Sequence, residues 1–183
     1  MVLTKTGVSQ GDLITLLEKV TGEMWIPISM FNDIGAAVLG AVGGVRAVGM
    51  ALDTSADEHV DVTLKVPKDM DVAVASTFTA YWSSSGTDSA KTFLGSIDFT
   101  ARAVGEDVGV AVTAAAGTAD ADSGTADVLN TAPVIALPAD TFASTAELLF
   151  LSFFRDVSGD DIGGDVHFYG LLWEYTTLPR IKV

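Results

Sequence analysis

The sequence predicts an all-β protein, a jelly-roll-like antiparallel β-sandwich with a short N-terminal helix or arm. Three observations carry that expectation. Seven or eight strand-like runs follow one another, His59–Val66 alternating cleanly with a period of two, polar turns separate them, and a single stretch has helical spacing. Strands interleaved with helices, as in βαβ units, are absent from the pattern.

The helical stretch comes first. Between Gly11 and Val20, the apolar residues Leu13, Leu16, Leu17 and Val20 follow the i, i+3, i+4, i+7 spacing; Asp12 can cap the start and Gly22 follows the end. This predicts a helix with one apolar stripe, an arm that docks on a neighbour or a lid on its own core. Met24–Phe31 is apolar and contains Pro27, which marks an edge or bent strand. Ile34–Leu52 carries one charge, Arg46, and a GxxxG at Gly40 and Gly44. Its five glycines weaken a helix, so it reads as a buried loop or strand pair that needs small residues, not as a membrane span.

His59–Val66 alternates cleanly, with Val60, Val62 and Leu64 on one face and Asp61, Thr63 and Lys65 on the other. Pro67–Asp71 is a turn. Val72–Trp82 and Thr92–Val104 read as long strands either side of a Ser-rich loop, and Val108–Ala114 alternates weakly. Gly117–Asp127 repeats Gly-Thr-Ala-Asp in a manner typical of loops. Glu147–Arg155 and Asp165–Thr176 are the most hydrophobic strands, joined by an acidic Gly loop. The expected division is an arm over residues 1–30 and one sandwich domain over 31–183, a size that buries a core without staples.

Composition excludes several function classes. There is no cysteine, hence no disulfide scaffold, thiol nucleophile or Cys-ligated metal. Ten Lys and Arg stand against 24 Asp and Glu, a net charge of −14 that repels phosphate backbones and anionic membrane surfaces, so neither nucleic acid nor membrane is an expected partner. The scarcity of lysine beside abundant Asp, Ala, Val and Thr fits a protein working in high salt as well as an ordinary acidic one. A mean hydropathy of +0.41 together with that charge points to apolar surface buried between subunits. Met1–Gly7 has no apolar core of the signal-peptide kind.

No catalytic motif emerges. His59 and His167 belong to no H-x-H or HExxH spacing, and Gly86–Thr92 lacks the glycine before Lys91 that a phosphate loop needs. A carboxylate pair for glycoside hydrolysis has no motif to mark it. The protein is expected not to be an enzyme, with no obligatory cofactor. Two constellations remain. Arg155–Asp165 holds four aspartates and three glycines: Asp156, Asp160, Asp161 and Asp165 either wrap a Ca²⁺-type cation or form a hairpin loop in which Arg155 pairs with Asp156 or Asp165. Strand alternation puts Tyr169, Trp173 and Tyr175 on one face, as a sugar-stacking platform or as core or subunit interface.

Asp57–Asp71, an acidic pair before an alternating strand that ends in Val-Pro, resembles an early strand of jelly-roll or β-sandwich structural proteins of tailed viruses. Tyr81–Ser85 and the closing run through Phe154-Arg155-Asp156, Gly164-Asp165-Val166 and Gly170–Tyr175 fit the same pattern. The resemblance covers roughly residues 47–177. It departs in lacking a Trp after the Ser-rich turn, where only Phe93 or Phe99 stands, and Ile34–Leu52 has no counterpart. It implies a non-enzymatic virion structural protein, a homotrimeric capsid decoration or minor capsid protein of a tailed virus, a virus of a halophile being one option, with residues 1–30 docked on major capsid protein or a neighbouring virion protein. The alternatives it leaves are a tail, fibre or turret component with glycan (host receptor) binding; a glycan-binding module and, last, a hydrolase stand beside them.

Overall fold

A computed structural model describes residues 17–18, 20–33, 38–42, 47–87 and 90–181. In chain order the strands are β1 (Leu17–Glu18), β2 (Thr21–Pro27), β3 (Asn32–Asp33), β4 (Val38–Val42), β5 (Ala47–Leu52), β6 (His59–Lys65), β7 (Ser76–Ser84) and β8 (Thr92–Phe93). They continue as β9 (Gly95–Arg102), β10 (Thr113–Ala116), β11 (Asp120–Ala121), β12 (Val134–Leu137), β13 (Leu148–Arg155), β14 (Val166–Thr176) and β15 (Arg180–Ile181). Every pairing between them is antiparallel.

Two sheets face each other. One has the order β10-β9-β13-β6-β3; the other runs β12-β7-β14-β5-β4, with β2 also paired to β14. The clean alternation of β6 buries Val60, Val62 and Leu64, as the sequence predicts, and β13 buries Leu149, Leu151 and Phe153 beside them. From the opposite sheet come Phe78, Trp82, Phe168, Leu171 and Trp173, all fully buried. Phe153 and Phe168 stack across the interior at 4.3 Å, which ties the central strands of the two sheets together. The all-β sandwich is therefore observed.

β14 organises the second sheet. One edge pairs along its length with β7, while the other is shared: β5 takes Val166–Phe168 and β2 takes Gly170–Thr176. The Gly/Ala-rich segment supplies the β4–β5 strand pair, with Gly40 opposite Gly49. Small residues are needed there, since a Cβ on Gly49 would stand 3.0 Å from the Tyr169 ring and 3.1 Å from the His167 Cβ.

Two expectations are corrected. Residues 21–27, assigned to the arm, form β2 and belong to the sandwich, with Ile26 fully buried; the chain bends only after Pro27, in a 3₁₀ turn at Ile28–Met30. The helix over 11–20 lies mostly outside the described residues. Its described part does not support a helix, because Leu17 and Glu18 pair with Ile181 and Arg180 as a strand.

Candidate functional site

The outer face of the six-stranded sheet follows from register alone. In an antiparallel pair, directly opposite residues project to the same side. Trp25 is opposite Leu172, and Leu172 is opposite Thr79; one step along, Pro27, Gly170 and Tyr81 align. Met24 and Ile26 point inward, so Trp25 points out and is 46% exposed. Its ring meets the edge of Tyr81 at a centroid distance of 5.0 Å and an interplanar angle of 81°. The indole lies over Gly170, where a Cβ would come within 3.0 Å of Trp25 Cζ2 and Cη2 and would also collide with the Ile26 carbonyl oxygen. Glycine is required on both counts, and its φ of +147° is a backbone state that side chains disfavour.

Gly170 also closes an irregularity. Register slips between Phe168 and Gly170, so one extra residue, Tyr169, enters the β14 side of the ladder. The slip turns Tyr169 outward, where its hydroxyl and the Ser83 hydroxyl lie 2.8 Å apart in a hydrogen bond. The three aromatic residues proposed from alternation are thereby separated. Trp173 is fully buried against Phe78 and Phe142, Tyr175 packs against the core edge beside Trp173, and Tyr169 alone reaches the outer face. Strict alternation fails because it counts through the bulge.

The outward aromatics that sequence reasoning missed are Trp25 and Tyr81. A signal was present: Thr21, Glu23 and Trp25 alternate with Met24 and Ile26, and Thr77, Thr79, Tyr81 and Ser83 alternate with Phe78, Ala80 and Trp82. An aromatic residue in phase with the polar side of a strand is an exposed one.

The acidic loop is a clamp around Arg155, whose side chain is almost wholly buried. Its partner is Asp160, not Asp156 or Asp165: Nη2 and Nε donate to the two carboxylate oxygens at 2.7 and 3.0 Å. Nη1 donates to the carbonyls of Leu52 (3.2 Å) and Gly164 (2.9 Å), and Nη2 to that of Ile162 (2.5 Å). Every N–H of the guanidinium is thus used. The cation set does not converge. Asp160 is consumed by Arg155, Asp156 accepts from the Ser158 N–H and hydroxyl, and Asp165 is exposed. Asp161 accepts the Thr92 N–H at 2.5 Å, the hydrogen bond that chiefly lowers its carboxyl pKa below the ordinary value. Among the described residues no three Asp, Glu or His side chains gather as a metal site.

The five-stranded sheet presents a different outer face. Ser152 lies opposite Asp61 on one side and Asp98 on the other, at a pocket of about 120 Å³ walled by Phe150 and Val112. His59 Nδ1 is 3.1 Å from Ser152 Oγ, and the imidazole stacks on Phe154 at 4.6 Å. This pair lacks the setting of a serine nucleophile. Ser152 sits mid-strand with both neighbouring strands paired, so the nearby backbone N–H groups serve the ladders and offer no oxyanion site. His167 is far from it in the fold, opposite Ser83 on the other sheet.

No family model matches the chain, and no curated protein matches it. Solved structures do. A CBM35 carbohydrate-binding module of Abf62 from Cellvibrio japonicus matches with a TM-score of 0.50 at 11% identity, covering 88% of this chain and 99% of that one. A CBM36-1 domain of a multidomain xylanase from the hindgut metagenome of Trinervitermes trinervoides gives 0.43 at 12%, covering 84% and 96%. The module TmCBM61, solved with β-1,4-galactotriose, gives 0.36 at 10%, covering 85% and 87%. At such identities the first of these speaks to the β-sandwich fold alone. The expectation of a capsid decoration or other virion structural protein is corrected here: the structure that matches at 0.50 is a carbohydrate-binding module and not a viral jelly roll. The trimer, capsid-docking and high-salt expectations attached to it find no support among these structures.

Proposed function

We propose that the protein is a non-catalytic glycan-binding module that stacks saccharide rings on the outer face of its six-stranded sheet, at Trp25, Tyr81 and Tyr169. The carrying observation is Trp25, an indole left nearly half exposed yet fixed edge-on to Tyr81 and seated over a glycine. Leaving such a ring in water forgoes hydrophobic stabilisation that burial would supply. A flat, held, apolar surface of this kind suits the apolar face of a pyranose. The sandwich shared with a carbohydrate-binding module supports the same reading.

The test is retention on polysaccharides in affinity electrophoresis, for wild type and Trp25→Ala. Truncating the central aromatic anchor is expected to weaken binding by about 30-fold with an unchanged circular dichroism spectrum. A wild-type protein retained by no polysaccharide, or a Trp25→Ala protein retained as strongly as wild type, sinks the proposal.

A further inference from the structure

A sheet edge is a row of unpaired main-chain donors and acceptors, and folded proteins guard it with proline, charge or brevity. Most edges of this sandwich are guarded. β12 is bracketed by Pro133 and Pro138, β2 carries Glu23 and ends in Pro27, and β3 is two residues long and ends in Asp33. β4 is weakened by Gly40 at its centre. β10, at the other end of the five-stranded sheet from β3, has none of these devices. It reads Thr113-Ala114-Ala115-Ala116, and neither charge nor proline stands between Asp107 and Asp120. Among the described residues it pairs with β9 alone. The Gly117 N–H donates to the Gly95 carbonyl at 3.0 Å, which continues the register of that pair. By antiparallel alternation Ala115 and Thr113 also bond β9, so the N–H and C=O of Ala114 and Ala116 point away from it. The surroundings are apolar as well. Val112, which leads into β10, is 55% exposed, and Val104, Val108 and Leu148 are exposed along one recess of the same sheet.

We infer that β10 is a self-association edge, at which a second copy of this chain adds its own β10 antiparallel about a two-fold axis and joins two five-stranded sheets into one. A second copy fits on two grounds. The edge is its own complement, since antiparallel pairing with Ala114 on Ala114 offers the donors and acceptors of each strand to the acceptors and donors of the other. Charge selects the same place. Two chains of net charge −14 repel one another, so close contact requires a stretch without carboxylates. In the Ala114 register Val112 faces Ala116 of the partner subunit, and Asp107 and Asp120 fall beyond the paired stretch. Asp98 is opposite Ala114 on β9, which leaves it three strand spacings, about 14 Å, from Asp98 of the partner subunit. That exceeds the Debye length of about 8 Å at physiological salt. Such a pairing uses both free edges and closes at two subunits. It stands independently of the glycan-binding reading.

Sedimentation velocity of the full chain over a concentration series, in low salt and in molar salt, tests this. The expected result is a reversible species of twice 19.0 kDa, with a Kd of about 1–100 µM as suits a contact at the small end of interface sizes. Association should tighten with salt, because screening removes the residual repulsion between two acidic chains. Ala114→Pro removes a donor that faces the open edge and leaves the bonds to β9 in place. It is expected to weaken association at least about tenfold with an unchanged circular dichroism spectrum. Val112→Glu, at a side chain already half in water, sets a carboxylate on the edge that an acidic copy approaches and should weaken association as much. This second variant carries the test if the proline variant fails to fold. A wild-type chain that stays monomeric throughout, one that forms trimers, or dimers that survive both substitutions, overturns the inference.

Discussion

The outer face of the five-stranded sheet carries His59, Asp61, Ser152 and Asp98, whereas that of the six-stranded sheet carries Trp25, Tyr81, Tyr169 and Leu172. Both arise from the same device, strand alternation over a shared core. On the first face His59 stacks on the ring of Phe154, Phe150 is recessed as a pocket wall, and the most exposed apolar side chains are aliphatic, Leu148 and Val112. On the second, the ring of Trp25 makes a T-shaped contact with Tyr81 and stays 46% exposed. Aliphatic branches present no plane for another ring, and a covered ring is already satisfied. The difference is why the glycan-binding proposal rests on the six-stranded face.

The comparison presumes two sheets held rigidly together, and the largest expected effect comes from cutting that link. Arg155 belongs to β13 of one sheet and bonds the Leu52 carbonyl of the other. Arg155→Met leaves the Asp160 carboxylate buried and unpaired, and a loss of about 3–5 kcal/mol is expected in chemical denaturation. A loss below about 1 kcal/mol breaks the view that this clamp joins the sheets. Next comes the contrast between inside and outside on neighbouring strands. Trp173→Ala should cost about 3–5 kcal/mol, as for any fully buried large ring, while Trp25→Ala should cost no more than about 1 kcal/mol. Comparable losses from the two would mean that Trp25 is a packing residue.

Gly170→Ala tests the bulge that divides them. The added Cβ meets the Ile26 carbonyl and the indole, so a loss of about 1–3 kcal/mol is expected, together with weakened saccharide retention from a displaced Trp25. Ser152→Ala, on the opposite face, should leave retention as in wild type; a drop there would move the site to the wrong sheet. The smallest effect concerns acid. The Asp161 carboxyl has a folded pKa below the ordinary 3.8, first through the Thr92 N–H. Its contribution is full above the unfolded value and is lost as pH falls through the folded one. Denaturation midpoints followed down this acid range should fall less steeply for Asp161→Asn than for wild type. Identical slopes would remove the Thr92 hydrogen bond from the account.

Much of this was legible residue by residue. Composition and period show the alternation of His59–Lys65 and the apolar runs ending at Arg155 and Thr176; for the Gly/Ala-rich segment they show the need for small residues but leave open a loop or a strand pair. The site was legible only in part. Strict alternation groups Tyr169 with Trp173 and Tyr175, from which the fold separates it, whereas the phase of Trp25 with Glu23 is visible in the sequence. Arg155 beside an acidic loop calls for a carboxylate; the sequence points to Asp156 or Asp165, and the folded loop supplies Asp160.

By itself, then, the sequence determined the class of fold, since period-two patterning and turn chemistry act over a few residues and require no knowledge of partners. It also determined which strands have one apolar side. Only the tertiary structure decided which strand lies beside which, and with that the pairing of Trp25 with Tyr81 across Gly170 and of Arg155 with Asp160. A single inserted residue in β14 reverses every side chain's face beyond it, and no local pattern announces the slip. Register is a property of two strands at once, so it becomes definite only when the sheet has formed.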